Sequence, residues 1–259
     1  MSTAPLVFIT GASSGIGQAL ALRFYQAGYR LALSARRGAE LQAWAESQKF
    51  DPTRFAVYAA TVRDVASITQ AGRACIAAQG VPDVVIANAG ISIGMDSAVV
   101  FDLDVMRATF ETNNLGMAAT FQPFISAMCQ RRSGALVGMA SVAGIRGLPG
   151  HAAYCASKAG VIAYCESLRG EMRGSGVKVV TLVPGYIDTP LTRKNRYGMP
   201  FLMPADAFAD KAYRAIRAGS SYRVIPWQMA IVSRLMRALP DALLDLVLAG
   251  RPRKHRQGE

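Results

Sequence analysis

The sequence predicts a doubly wound α/β fold: a mostly parallel sheet with helices on both faces, plus a C-terminal helical extension. Three observations carry this expectation. Short apolar runs alternate with segments of helical period along most of the 259 residues. The first run, LVFIT at 6–10, leads straight into TGASSGIG at 10–17, a glycine turn that opens a helix. No linker, repeat or compositional break interrupts the rhythm, so 1–259 reads as one domain.

The elements follow in order. After the strand at 6–10, a helix at 15–27 stops at Gly28. LALSA at 31–35 is the second strand, followed by a helix at 38–49. FAVYA at 55–59 is the third strand, and the helix at 65–79 ends where Gly80 and Pro82 forbid continuation. DVVIAN at 83–88 is the fourth strand. A long helix at 104–130 is interrupted near Gly116. ALVGMA at 135–140, a helix at 152–173 and VKVVTLV at 177–183 continue the alternation. The stretch 186–204 falls outside it. A helix at 205–218 and a last strand at 222–226 precede the tail. There Met229, Val232, Met236, Leu239 and Leu243 form a helical apolar stripe, broadened by Ile231, Leu235 and Leu244. Pro240 starts a second short helix, and Arg251, Arg253, Lys254 and Arg256 follow.

Composition narrows the partners. Hydrophobic residues make up 51% and charged ones 18%, lean for a soluble monomer, so a homodimer or homotetramer is expected. The formal charge of +12 suits anionic ligands such as phosphates or acidic lipid head groups. Nucleic acid is not expected, because no basic stripe is interleaved with aromatics. Cys75, Cys129, Cys155 and Cys165 form no C-x-x-C pair and only two His are present, so no metal site is expected. The thiols read as reduced and buried in a cytoplasmic protein. MSTAPLVFIT has neither a basic leader nor a cleavage-like end. The apolar tail at 227–249 is broken by Arg234, Arg237, Pro240, Asp241 and Asp245, too charged to span a bilayer. Its alternatives are docking on its own crevice, on a partner subunit, or peripherally on a membrane surface.

TGASSGIG has the makings of a phosphate cradle. Gly11 permits a tight turn, Gly15 lets a phosphate approach the backbone, and Gly17 lets helix pack close to strand. Ser13, Ser14 and Ile16 complete the turn, whose helix N-terminus offers free N–H groups. An acidic residue about twenty positions on would grip a ribose 2′-hydroxyl. Ala35 stands there instead, followed by Arg36 and Arg37, and guanidinium binds a 2′-phosphate. NADP (NADPH) is therefore expected over NAD, through Arg36 first; Arg37 also reads as a solvated charge.

Tyr154 and Lys158 stand four apart and share a helix face. A nearby ammonium would lower the phenol from its reference near ~10, and a phenol so tuned exchanges protons near neutral pH. With a phosphorylated cofactor at the glycines, hydride transfer coupled to proton transfer is the expected chemistry.

These pieces, in this order, resemble a short-chain dehydrogenase/reductase of the single-domain Rossmann-fold branch: TGASSGIG, Asn88-Ala89-Gly90, Asn113 in TNNLG, Ser141, Tyr154 with Lys158, and Pro184-Gly185. The resemblance implies that Tyr154 is the general acid/base and that Ser141 bonds the reacting oxygen. It implies that Lys158 binds the nicotinamide ribose and holds down the Tyr154 pKa, and that Asn113 carries a water linking Lys158 to solvent. Pro184, Gly185, Ile187 and Thr189 would border the nicotinamide, and Thr61 with Val62 would lie near the adenine. It divides the chain into a cofactor-binding and catalytic core (1–185), a substrate loop, helix and last strand (186–226), and a basic helical tail (227–259). Ala87 departs from the family's Asn-Asn-Ala-Gly, which bears on bracing of the central strand.

The substrate side is less determined. Met199, Phe201, Leu202 and Met203, with Ile91, Ile93, Met95, Val142, Ile145 and Leu148, predict an apolar wall for a lipophilic ketone, aldehyde or alcohol. The same residues could simply pack the core. Arg193, Lys194 and Arg196 read as a solvated face, and His151 as a loop residue before the helix. The alternative to an enzyme is a catalytically silent nucleotide-sensing or membrane-surface binding protein, against which the full set of Ser141, Tyr154, Lys158 and Asn113 argues.

Overall fold

The computed structural model describes residues 4–193, 195, 197–250, 252–256 and 258, so Lys194, Arg196 and Arg251 lie outside the described residues. Strands β1 (Leu6–Thr10), β2 (Arg30–Ala35), β3 (Phe55–Ala59), β4 (Val84–Ala87), β5 (Gly134–Met139) and β6 (Val177–Pro184) form the sheet's body. A small pair, β7 (Ile187–Asp188) and β8 (Met203–Pro204), precedes the edge strand β9 (Tyr222–Ile225). The main sheet is parallel throughout, in the order β3-β2-β1-β4-β5-β6-β9. The chain winds outward from β1 to β3 and returns beside β1 at β4. That reversal opens a crevice at the carboxyl ends of β1 and β4.

Helices α1 (Gly15–Gln26), α2 (Gly38–Ser47), α3 (Val65–Gln79), α4 (Asp102–Phe110), α5 (Gly116–Arg131), α6 (Ala152–Glu171) and α7 (Ala205–Ala218) cover the sheet. A π-helical turn, Glu111–Leu115, replaces the expected break between α4 and α5. Two core clusters lie on opposite faces, as period-two strands require. Val7 and Ile9 face α1, α2 and α7; Leu6 and Phe8 face α3, α5 and α6. Phe8 packs on Phe124 with ring centroids 5.0 Å apart. Arg23 ties α1 to α7 through Asp210 at 3.1 Å.

The tail forms α8 (Trp227–Ala238) and α9 (Asp241–Leu248). Its buried line differs from the predicted stripe. Met229 is buried and Val232, Met236 and Leu239 are half-buried, but Leu243 is 50% exposed, and Leu244 and Leu248 turn inward instead. Pro240 ends one helix and resets the rotation of the next. Ile231 and Leu235 do not broaden the buried stripe: with Trp227 they lie on the outside. No described helix is long and apolar enough to cross a membrane. All four cysteines are free.

Phe124 is fully buried between α5 and the sheet. Phe124→Ala should destabilise the fold by about 3–5 kcal/mol, read as a lowered urea midpoint with an unchanged m-value; an unchanged midpoint would show that this face of the core is not packed as described.

Candidate active site

The site begins where the glycine turn meets β4. Thr10 ends β1, and its hydroxyl accepts from the amides of Asn88 (3.1 Å) and Ala89 (3.2 Å). The Asn88 side chain donates to the carbonyls of Thr10 (3.0 Å) and Gly11 (3.3 Å). Both amide hydrogens of Asn88 are thus spent on bracing the turn. Asn88 therefore leaves the strand register and β4 ends one residue earlier than predicted. With Ala87 buried in β4, the brace of the central strands is carried by Asn88 and Thr10.

Gly11 and Gly15 adopt positive φ, +66° and +53°, which favours glycine. A Cβ at Gly11 would stand 2.8 Å from Ala89 Cα, and one at Gly17 would fall on the Gly11 carbonyl. A Cβ at Gly15 would lie 3.1 Å from the Thr189 side chain, so the glycine turn and the loop after β6 face each other. Ser13 and Ile16 are half-buried; Ser14 is exposed and makes no side-chain cap on α1, leaving first-turn amides to another acceptor. These features fit a dinucleotide's pyrophosphate. Beyond it, Ala35 is buried and Arg36 is exposed, with no ion pair to a described residue. Arg37 pairs with Glu40 at 3.0 Å, the solvated-charge alternative. Thr61 and Val62 follow β3 beside this end of the sheet, and Val62 packs on Gly116.

The reactive groups converge from β5 and α6. Ser141 follows β5, and its Oγ accepts from the Ala143 amide at 3.2 Å. The Ser141 hydroxyl neighbours the Tyr154 phenol and favours its anion. One turn on, Lys158 is buried, its Nζ donating to the Met139 carbonyl at 2.7 Å and lying 5.8 Å from the Tyr154 ring centre. Asn113, in the π-helical turn, accepts from the Ile91 amide (2.9 Å) and donates to the Ile91 carbonyl (3.0 Å) and the Ser157 hydroxyl (2.9 Å). It clamps the loop after β4 to α6. A Cβ on exposed Gly90 would stand 3.2 Å from Asn113 Oδ1 and 3.5 Å from Lys158 Nζ, so glycine keeps the cleft floor low. Asn114 only packs, donating to the Ser157 carbonyl at 2.8 Å.

Electrostatics correct one expectation. Tyr154 is raised above its ordinary value, not lowered: burial is the larger influence, and the neighbouring Ser141 hydroxyl offsets only part of it. Lys158 is itself pulled down to about 8 by burial. Its ammonium is directed at Met139 rather than at the phenol oxygen.

A cavity of about 590 Å³ opens at His151, three residues before Tyr154. Of the predicted wall, Leu148 and Met199 line it. Phe201 and Leu202 point outward, Met203 joins the sheet core, and Val142 and Ile145 pack beneath α6. Met95, with Ile93, packs on Val105 and Ala153. In their place stand His151, Tyr186, Tyr197, Leu248 and Pro252. His151 Nδ1 donates to the Pro149 carbonyl (3.1 Å), so Nε2 accepts from the Tyr197 phenol (3.1 Å). Burial lowers His151 and keeps it neutral. Burial, then Tyr186 and Tyr154, push the Tyr197 phenol up. Arg193 is spent on Asp188 at 2.7 Å. Tyr186 and Tyr197 carried no reading in the sequence, whereas docking on its own crevice was one of the tail's three alternatives, and Leu248 lines the cavity.

In the protein without cofactor, the phenolate absorbance step that disappears in Tyr154→Phe should lie above pH 10. A step near neutral pH would overturn the dominance of burial.

The family model described as short chain dehydrogenase matches residues 5–199. An uncharacterised oxidoreductase of Myxococcus xanthus is 37% identical over 237 residues, covering 92% of this chain and 93% of that protein. A short-chain dehydrogenase from Streptomyces avermitilis superposes with a TM-score of 0.81 at 24% identity, covering 95% of both chains. One from Sphingobium yanoikuyae, in complex with NADPH, gives 0.76 at 24% identity over 92% of this chain and 97% of that one. The glycine turn, the Ser141–Tyr154–Lys158 cluster and the matched length lead to one conclusion: the chain belongs to the short-chain dehydrogenase family of oxidoreductases.

Proposed function

We propose that this chain is an NADP-dependent reductase of a lipophilic ketone or aldehyde, or in reverse a dehydrogenase of the corresponding alcohol, with Tyr154 as general acid/base. The observation that carries the reading is the convergence of Ser141, Tyr154 and buried Lys158 at the end of β5 and on α6, with an apolar cavity at His151, three residues before Tyr154. NADPH, when bound, supplies a hydride for the carbonyl carbon and becomes NADP+. The chain's own groups handle the oxygen. Ser141 donates to it, and Tyr154 delivers the proton that completes the alcohol. A phenol raised by burial stays protonated at neutral pH, the state reduction requires. Lys158, still mostly cationic at neutral pH, offsets the phenolate left behind. In the reverse direction Tyr154 takes the proton.

Three features support the substrate class. The cavity lies within the size range of small-molecule sites. Its walls at Leu148, Met199 and Leu248 are aliphatic. The polar groups of His151 and Tyr197 satisfy each other. NADP over NAD rests on exposed Arg36 next to Ala35, with no carboxylate at that strand end to repel a 2′-phosphate; the NADPH complex of the Sphingobium relative agrees with it.

Tyr154→Phe should lower turnover of a carbonyl panel by ~10²–10⁴ while NADPH still binds, as followed by nucleotide fluorescence; near wild-type turnover would sink the assignment. Ala35→Asp combined with Arg36→Leu should invert the NADPH/NADH ratio of kcat/KM. If that ratio hardly moves, the 2′-phosphate is not read at this strand end.

A further inference from the structure

Among the described residues, the basic side chains Arg253, Lys254 and Arg256 that follow α9 all have partners. Lys254 Nζ donates to the Ser92 hydroxyl at 2.9 Å. The Gly94 amide donates to the His255 carbonyl at 2.9 Å, and Gly94 forms a β-bridge with Arg256. Arg256 reaches both carboxylate oxygens of Asp102, at 2.8 and 3.3 Å, and Asp102 also accepts from the Asp96 amide at 2.7 Å. The Asp102 side chain is only 8% exposed. Arg253 stands 3.6 Å from Asp96. Upstream, Arg146 holds the α8–α9 corner through the Leu239 carbonyl (3.2 Å) and Asp241 (2.6 Å). These tail contacts reach the loop after β4, the start of α4 at Asp102, or the loop after β5.

Between its two anchors the tail runs along the cavity, and Leu248 and Pro252 form part of the wall. We infer that residues 248–250 and 252–256 act as a strap that closes the end of the substrate cavity and limits the length of carbonyl compound it accepts. Leu248 and Pro252 set that limit; Arg256, Lys254 and Gly94 are positioning residues. This deepens the reading of the cavity as the substrate site and rests on it. Physical reasons favour a seated strap. A buried carboxylate left without its guanidinium is costly, so Asp102 holds Arg256 in place. Gly94 has to be glycine, because a Cβ there would fall on the Lys254 and His255 carbonyls.

The test uses the full chain and two variants, Gly94→Ala and Arg256→Gln, one steric and one electrostatic. Amide exchange is read at Gly94 and Asp96, NADPH binding by fluorescence, and kcat/KM with butanal and dodecanal. Exchange at Gly94 should rise by about tenfold or more as the strap loosens. The dodecanal/butanal ratio should rise by about tenfold, with NADPH affinity unchanged. Unchanged exchange in both variants, or faster exchange with an unchanged ratio, overturns the strap. A loss of NADPH binding in both would show that the segment supports the fold rather than the cavity, and also overturns it. If the wild type reduces neither aldehyde nor any other carbonyl, the proposed function fails; the strap is then decided by exchange together with calorimetric binding of 1-dodecanol, which must differ between wild type and variants.

Discussion

The brace between Thr10 and Asn88 is the constraint on which the rest depends. A parallel sheet that reverses direction must part its covering layers where the two halves meet. The parted strand ends then expose backbone groups that need partners. Here the Asn88 amide and the Thr10 hydroxyl satisfy the ends of β1 and β4 and the first glycine carbonyl together. Gly11 turns with positive φ against Ala89 and the Asn88 side chain, where a Cβ would collide with both. The direction of α1, and so of its N-terminal amides, follows from that turn. Loss of the Asn88 side chain would leave two carbonyls short of donors at a crowded place, which is why Ala87 at the neighbouring position is tolerated and Asn88 is structurally occupied.

A second layer of order comes from buried polar groups that hold one another. Asn113 ties the loop after β4 to α6, and Lys158 ties α6 to the end of β5. These bonds cross between elements that sequence separates widely, and they align Ser141 with Tyr154. Burial is the cost of that alignment. It depresses the ammonium and raises the phenol, each toward its neutral form. The site therefore presents a proton donor at rest.

Much of this was legible in the sequence, for local reasons. Glycine turns, strand ends and a helix face are short-range patterns, so TGASSGIG, Ser141, Tyr154 and Lys158 could be placed by spacing and resemblance. The sign of the Tyr154 shift could not, because spacing shows a neighbouring charge but not how much water both groups lose. The cavity wall was half legible. Leu148 and Met199 were anticipated, whereas Phe201 and Leu202 turn outward because β7 and β8 pair and fix the loop's twist. The destination of Lys254 and Arg256 was out of reach, since a hydrogen bond and an ion pair across more than 150 positions leave no periodicity to read.

The pairing of Ile187–Asp188 with Met203–Pro204 has a mechanical meaning. One side of the crevice is anchored in a sheet of seven strands. The other hangs from two residue pairs, with Thr189 resting against Gly15 and the intervening chain carrying Tyr197 and Met199. The crevice is thus a vice with one fixed jaw and one lightly sprung. Opening it means parting that two-rung ladder and moving Ile187 and Met203, which pack into the core beneath. Whatever enters has to displace the sprung jaw, and the stiffness of that short ladder sets how readily it yields.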